Sequence, residues 1–254
     1  MAKLVTQEIC ARLGAEFCVR TFSSCPSTNI ALLEAAKQGA LPRTLFVTAE
    51  QTNGRGRLGR SFFSPKDSGV YFSLLLQPTE AQSPAVLTAL SALAVCEAAE
   101  ALGAADCSIK WVNDVYRNGK KCCGILTQGV YENARAVYAV VGIGANLVPP
   151  KTGFPADIKD RAGAFFAEDA PLLRERFTAE VTRRICEFLS QESSAFVPAY
   201  RARLNLLGKQ VEVLRGEERF FATAHALQDD FSLLVQRADG AFVTLQSGEV
   251  TLVL

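Results

Sequence analysis

The stretch Gly54-Arg55-Gly56-Arg57-Leu58-Gly59-Arg60 interleaves three arginines with three glycines. Each arginine brings a permanent positive charge and a planar fork of donors that matches phosphate. Each glycine lets the backbone approach a ligand closely and lets the loop reorganise. A phosphate charge about 4 Å from one guanidinium gains roughly 4 kcal/mol at an effective dielectric of 20. Without an anion the arginines repel one another, so the stretch reads as a loop that is mobile when empty and orders around a polyphosphate. A solvated basic turn and an RNA-contacting loop have the same composition. The glycine spacing imitates a dinucleotide fingerprint, but that fingerprint needs a helix opening at the third glycine. Ser61-Phe62-Phe63-Ser64-Pro65 follows instead. Gly119 to Gly124 has the glycine spacing of a nucleotide-binding loop and then continues Ile125-Leu126, not Lys-Ser/Thr.

Two more constellations stand beside it. Lys110 lies in the apolar strand SIKWV, where a lone charge is costly unless paired. Asn113-Asp114 taken alone is a turn start. With Lys110, and with Lys121 across a hairpin, it could hold a metal-bound nucleotide, lysines on phosphate and the carboxylate toward Mg²⁺. Val140 to Leu147 (VVGIGANL) is a glycine-broken strand, a mark of close backbone approach, with Asn146 as the polar group at its end.

The elements that must position these groups follow from pattern. Strands are predicted over 16–22, 44–49, 70–76, 108–112, 122–130 and 135–142, with a hairpin turn at Arg117-Asn118-Gly119. Ser27, Thr28 and Asn29 can cap a helix that Gly39 closes. Ser83-Pro84 opens a second helix, ended by Gly103. Residues 149–170 read as a crossing loop, 172–189 as a helix and 193–204 as a shorter one. Five short alternating stretches then follow, over 209–214, 219–225, 231–236, 241–245 and 249–254. The expectation is an α+β main domain, residues 1–205, and a small β-barrel, residues 206–254.

Composition limits the function. The chain has 254 residues, 27 Lys plus Arg against 26 Asp plus Glu, and 49% hydrophobic residues. Such a chain buries roughly 70–75% of its unfolded surface. Near-neutral charge gives no global argument for nucleic acid or membrane. Eight cysteines show no C-x-x-C spacing, and His225 is the single histidine, which argues against structural zinc. Cysteines inside apolar runs suit a reduced, cytoplasmic protein. The N-terminus has no signal-peptide core, and the uncharged runs 81–96 and 136–150 are shorter than the ~20 residues of a membrane span.

The four blocks Ser27-Thr28-Asn29, Gln51 with GRGRLGR, KWVND with KKCCGIL, and VVGIGANL occur in an order that resembles a bacterial biotin protein ligase (biotin–[acetyl-CoA-carboxylase] ligase). The resemblance runs from about residue 15 to the end, including the Gly248-Glu249-Val250 turn. It implies the fold of class II tRNA synthetase and biotin ligase catalytic domains, a mixed β-sheet with flanking helices, plus an SH3-like C-terminal barrel. The implied reaction joins biotin to ATP as biotinyl-5′-AMP, then passes biotin to a lysine of a biotin carboxyl carrier protein. By similarity Ser27, Thr28, Asn29, Gln51, Arg55, Gly56, Arg57, Lys121 and Gly124 line the biotin pocket. Arg57, Arg60, Phe62, Lys110, Asn113, Asp114 and Asn146 serve ATP, with Asp114 and Asn146 toward Mg²⁺. Lys121, Arg57 and Asp114 carry the chemistry, Asp114 as a proton acceptor.

The chain departs from the family pattern at Val112, where proline is common, at Leu58, where a basic residue is common, and at Phe62, where tryptophan is expected. Cys122 and Cys123 replace aliphatic or small residues. Residues 1–15 are too few for a helix-turn-helix module, so the resemblance implies a monofunctional ligase without operator binding, a monomer or homodimer. A lipoate–protein ligase of the same fold and a non-catalytic biotin or nucleotide sensor are the other readings. An RNA-binding protein lacks its expected broad basic surface.

Overall fold

The computed structural model describes residues 4–77, 82–132, 135–246 and 248–253. Leu254, the end of the last predicted strand, lies outside them. Seven strands form one sheet: β1 (Cys18–Phe22), β2 (Thr44–Thr48), β3 (Gly69–Leu76), β4 (Cys107–Lys110), β5 (Asp114–Arg117), β6 (Lys120–Glu132) and β7 (Arg135–Asn146). Their spatial order is β1-β2-β3-β7-β6-β5-β4. Only β1 and β2 pair in parallel, so the sheet is mixed.

Alternation along the strands separates two faces. Leu45, Val47, Phe72, Leu74, Val141 and Ile143 belong to the main core, which also holds α1 (Thr6–Leu13), α3 (Pro84–Ala101) and α4 (Leu173–Leu189). Phe46, Leu75 and Val140 point the other way and cover α2 (Thr28–Lys37) through Leu32 and Ala36. The helix α1 is absent from the sequence expectations, because it is eight residues long and buries two side chains, Ile9 and Leu13, a single i, i+4 pair. Ser83 caps α3 as expected, its Oγ accepting from the Val86 N–H at 3.3 Å. By length and composition alone α3 is apolar enough to cross a membrane, because it extends past the uncharged run through Glu97 and Glu100; here it is the buried core helix.

The predicted strand 108–112 is corrected. It ends at Lys110, Trp111 to Asn113 make a turn across a cis Trp111-Val112 peptide, and Asp114 opens a separate strand. The β5–β6 turn is as expected, with Asn118 and Gly119 at φ of 51° and 72°, the pattern of a two-residue hairpin turn. Between β5 and β6 the register shifts by one: Val115 pairs with Cys123 but Tyr116 pairs with Lys121. Cys122 is thus the extra residue of a β-bulge. The bulge explains how two adjacent cysteines are both fully buried, and it turns Lys121 to the same side as Gly124.

A short helix α5 (Val197–Arg203) follows α4 and leads to the second sheet. Its antiparallel strands are β8 (Gln210–Arg215), β9 (Glu218–Leu227), β10 (Leu233–Arg237), β11 (Phe242–Leu245) and β12 (Glu249–Leu252), ordered β11-β10-β9-β8-β12. All five predicted stretches are there. Bonds that tie this region to the Lys110–Asp114 turn include Trp111 Nε1 donating to the Phe231 carbonyl at 2.9 Å, Tyr200 Oη donating to the Val112 carbonyl at 3.2 Å and Lys110 Nζ donating to Thr251 Oγ1 at 3.4 Å.

Arg174 fixes the approach to β3. It is buried, and its guanidinium donates to the carbonyls of Asp67 (2.7 Å) and Gly69 (3.2 Å) and to the Asp169 carboxylate (2.9 Å). Arg174→Met leaves both carbonyls without this donor. Urea unfolding should show a loss of about 2–4 kcal/mol with an unchanged slope, since each orphaned buried acceptor costs about 1–3 kcal/mol.

Candidate active site

The face of the sheet that carries α2 has a floor made of glycines. Register sets Ser73, Gly142 and Leu126 in one row and Tyr71, Gly144 and Gly124 in the next. Side chains arrive where the glycines leave room. A Cβ at Gly142 would overlap the Asn29 amide, and one at Gly144 would lie 2.6 Å from the Phe62 ring. A pocket with an empty volume of about 470 Å³ stands on this floor.

Its inner end is polar. Ser27 sits at the N-cap position of α2, yet no side chain caps the helix, which corrects the sequence expectation. The hydroxyls and amide point sideways instead. Thr28 N–H donates to Gln51 Oε1 at 2.9 Å, and Gln51 Nε2 donates to Ser64 Oγ at 3.2 Å. Ser73 Oγ lies 2.6 Å from Asn29 Oδ1 and 2.7 Å from Thr28 Oγ1. Asn29 Nδ2 donates to the Leu126 carbonyl (3.1 Å) and to Gln128 Oε1 (3.0 Å). The α2 N-terminus faces the same space and favours a ligand carbonyl there.

The outer end is cationic. The arginine–glycine stretch is a small hairpin: Arg55 bridges to Ser61, Gly56 N–H donates to the Arg60 carbonyl at 2.7 Å, and Leu58 takes a φ of 53°. Two of its three arginines have partners in neighbouring segments. Arg57 donates to Asn113 Oδ1 (2.8 Å) and the Gly248 carbonyl (3.0 Å), and Arg60 pairs with Glu249 at 2.7 Å. Lys121 Nζ is 2.6 Å from Asp114 Oδ1 and 6.0 Å from the centre of the Phe62 ring. The Phe62 ring meets Tyr71 edge-on.

Beyond these groups a larger cleft, about 1440 Å³ of empty volume, opens between the sheet, the 149–163 loop and β12. Lys110, Asp114, Tyr116, Asn146, Arg161 and Thr251 line it. Burial pulls the Lys110 ammonium below its ordinary range, and nearby Lys121 acts in the same direction. Burial pushes the Tyr116 hydroxyl up to about 12. Asn146 is buried, donates through Nδ2 to the Gly163 carbonyl at 3.0 Å, and leaves Oδ1 without a partner. That orphan acceptor marks where a ligand donor or a cation belongs. Among the described residues no cluster of three or more His, Cys, Asp or Glu forms a metal cage. A Mg²⁺ held mainly by substrate phosphates needs no such cage.

Every residue expected on the biotin side lines the inner pocket, and every residue expected on the ATP side lines the outer cleft. Gly56, Arg57, Phe62, Asn113 and Lys121 line both. The sequence reading did not include Ser73, Gln128, Tyr116, Arg161, Glu249 or Thr251. Alternation places Ser73 and Gln128 on the pocket face once register is known. Arg161, Glu249 and Thr251 come from distant segments that only the fold brings near.

Comparison with known proteins follows the same lines. Residues 21–146 match the model of the biotin/lipoate A/B protein ligase family. A biotin protein ligase of Aquifex aeolicus, solved as a single-site mutant in complex with biotin, is 30% identical, with a TM-score of 0.78 over 93% of this chain and 98% of that one. This chain belongs to the biotin protein ligase family. The Aquifex ligase has also been solved in complex with biotin and ATP, at a TM-score of 0.77. The bifunctional ligase/repressor BirA of Bacillus spizizenii is 39% identical over 137 residues, which is 54% of this chain and 42% of that protein. This biotin protein ligase family member therefore matches under half the length of that relative. The biotin–[acetyl-CoA-carboxylase] ligase of Mycobacterium tuberculosis is 27% identical over 88% of this chain and 85% of its own length.

Proposed function

We propose that the chain activates biotin with ATP to give biotinyl-5′-AMP and pyrophosphate, and then transfers the biotinyl group to a lysine of a biotin carboxyl carrier protein. One observation carries this reading: the inner pocket and the outer cleft share Arg57 and Lys121. A carboxylate from the first and a phosphate from the second meet at shared cations. Two anions must come into contact for the reaction to occur, and fixed positive charge at the meeting point lowers that barrier.

In the first step a biotin carboxylate oxygen attacks the α-phosphorus. The bond to the β-phosphate oxygen breaks and pyrophosphate leaves. Lys121, freed from Asp114, neutralises carboxylate and α-phosphate together, while Arg57 and Arg60 exchange Asn113, Gly248 and Glu249 for phosphate oxygens. Asn146 Oδ1 and Asp114 would hold Mg²⁺ together with the phosphates, and the ion would supply further positive charge there. In the second step the acceptor lysine attacks the acyl carbon as the neutral amine and AMP leaves. Asp114 takes the proton. In this reading residues 1–205 hold both substrates, and residues 206–254 supply the outer wall through Gly248, Glu249 and Thr251. All eight cysteines are free thiols, which suits a reduced cytoplasm.

The test is to incubate the purified chain with biotin, ATP and Mg²⁺, with lipoate in parallel, and to measure acyl-adenylate and pyrophosphate. Biotinyl-AMP is expected, followed by biotinylated carrier when carrier is added. Faster turnover of lipoate would move the substrate class to lipoate. Biotin binding without adenylate would make the chain a sensor.

A further inference from the structure

The inner end of the pocket has a hydrogen-bond polarity that two residues outside the expected site determine. Asn29 has two donor hydrogens, and both are used, on the Leu126 carbonyl and on Gln128 Oε1. Asn29 Oδ1 carries no hydrogen, so Ser73 donates to it across 2.6 Å; Ser73 Oγ also lies 2.7 Å from Thr28 Oγ1, which is 3.3 Å from Gln51 Oε1. The amide lies flat over Gly142, where no Cβ disturbs it. Asn29, Thr28 and Ser73 are all buried. The capacity Asn29 retains is the second lone pair of Oδ1. It can accept from a ligand and cannot donate to one.

We propose that Gln128 and Ser73 are positioning residues that lock the Asn29 amide with its acceptor available, and so select an acid whose ring presents an N–H, such as the urea of biotin. Neither residue lines the pocket; both act through Asn29. The inference rests on the biotin reading above and names the device that sets its specificity. Losing Gln128 frees one Nδ2 hydrogen and lets the amide turn, setting a donor against a ligand donor. Converting Gln128 to glutamate keeps an acceptor for Nδ2.

The experiment is calorimetric binding of biotin, and separately of ATP, to the wild type, Gln128→Leu, Gln128→Glu and Ser73→Ala, with kcat and KM for adenylate formation. One net hydrogen bond is about fivefold in affinity. Gln128→Leu and Ser73→Ala should each weaken biotin binding and raise its KM five- to tenfold, with kcat and ATP binding within twofold of wild type. Gln128→Glu should return biotin binding to within twofold. Equal weakening of biotin and ATP would mean a structural role and overturn the inference, as would Gln128→Leu within twofold of wild type for biotin. A wild type that binds no biotin would overturn the biotin reading itself, a distinct result because no variant is then compared.

Discussion

Lys121→Ala is expected to slow formation of biotinyl-AMP by roughly 100–1000-fold, the range found when one preorganised donor is removed from a developing charge. Lys121 lies on the lining of both cavities and bonds Asp114 at 2.6 Å. Its removal has two effects of the same sign. The meeting point of carboxylate and phosphate loses a cation, and Asp114 stays there as an unpaired anion that repels both substrates. Arg57→Ala should fall in the same range, because Arg57 is the second cation lining both cavities. Rapid-quench measurement of the adenylate checks the prediction, with circular dichroism to show that both variants fold. Adenylate formation within tenfold of wild type in Lys121→Ala would remove Lys121 from the chemistry.

Gly142→Ala is expected to weaken biotin binding by about 10–100-fold. Its Cβ would occupy the position of the Asn29 amide. That amide cannot simply withdraw, because α2 is anchored by Leu32 and Ala36 against Phe46, Leu75 and Val140. Overpacking of this kind costs about 1–3 kcal/mol, and each 1.4 kcal/mol is tenfold in affinity. Calorimetry with biotin reads the effect directly. ATP binding should stay near wild type, because Gly142 is not among the residues lining the outer cleft. A variant that binds biotin normally would show that the amide has room the ligand-free geometry does not reveal.

Much of this was legible in the chain because chemistry and local pattern coincide. Glycines alternating with arginines, or a lysine ending an apolar strand beside Asn-Asp, are combinations that packing alone does not favour. The expected biotin and ATP residues do gather at two adjoining cavities. What sequence could not show depended on register and on distant contacts. The side chains of Ser27, Thr28 and Asn29 look like helix caps because cap and ligand contact use the same oxygens and nitrogens; only the neighbouring strands decide between them. Arg57 and Arg60 look mutually repulsive until Asn113, Gly248 and Glu249 arrive from 56 to 191 residues away. Ser73 and Gln128 lie inside strands of ordinary composition, and nothing local marks them.

The bulge at Cys122 has a consequence for inheritance. Side chains on a strand alternate, so the side on which Lys121 emerges depends on how many residues separate it from Gly124. Substitution at Cys122 changes a buried side chain and leaves that parity intact. Loss of the one codon removes the bulge and leaves Lys121 two residues from Gly124, the spacing at which a regular strand keeps both on one face, so the ammonium stays on the pocket side. Lineages carrying this site can vary the letter at position 122 within the limits of packing, and an in-frame deletion there is expected to cost the packing of one buried thiol while keeping the lysine on the pocket side.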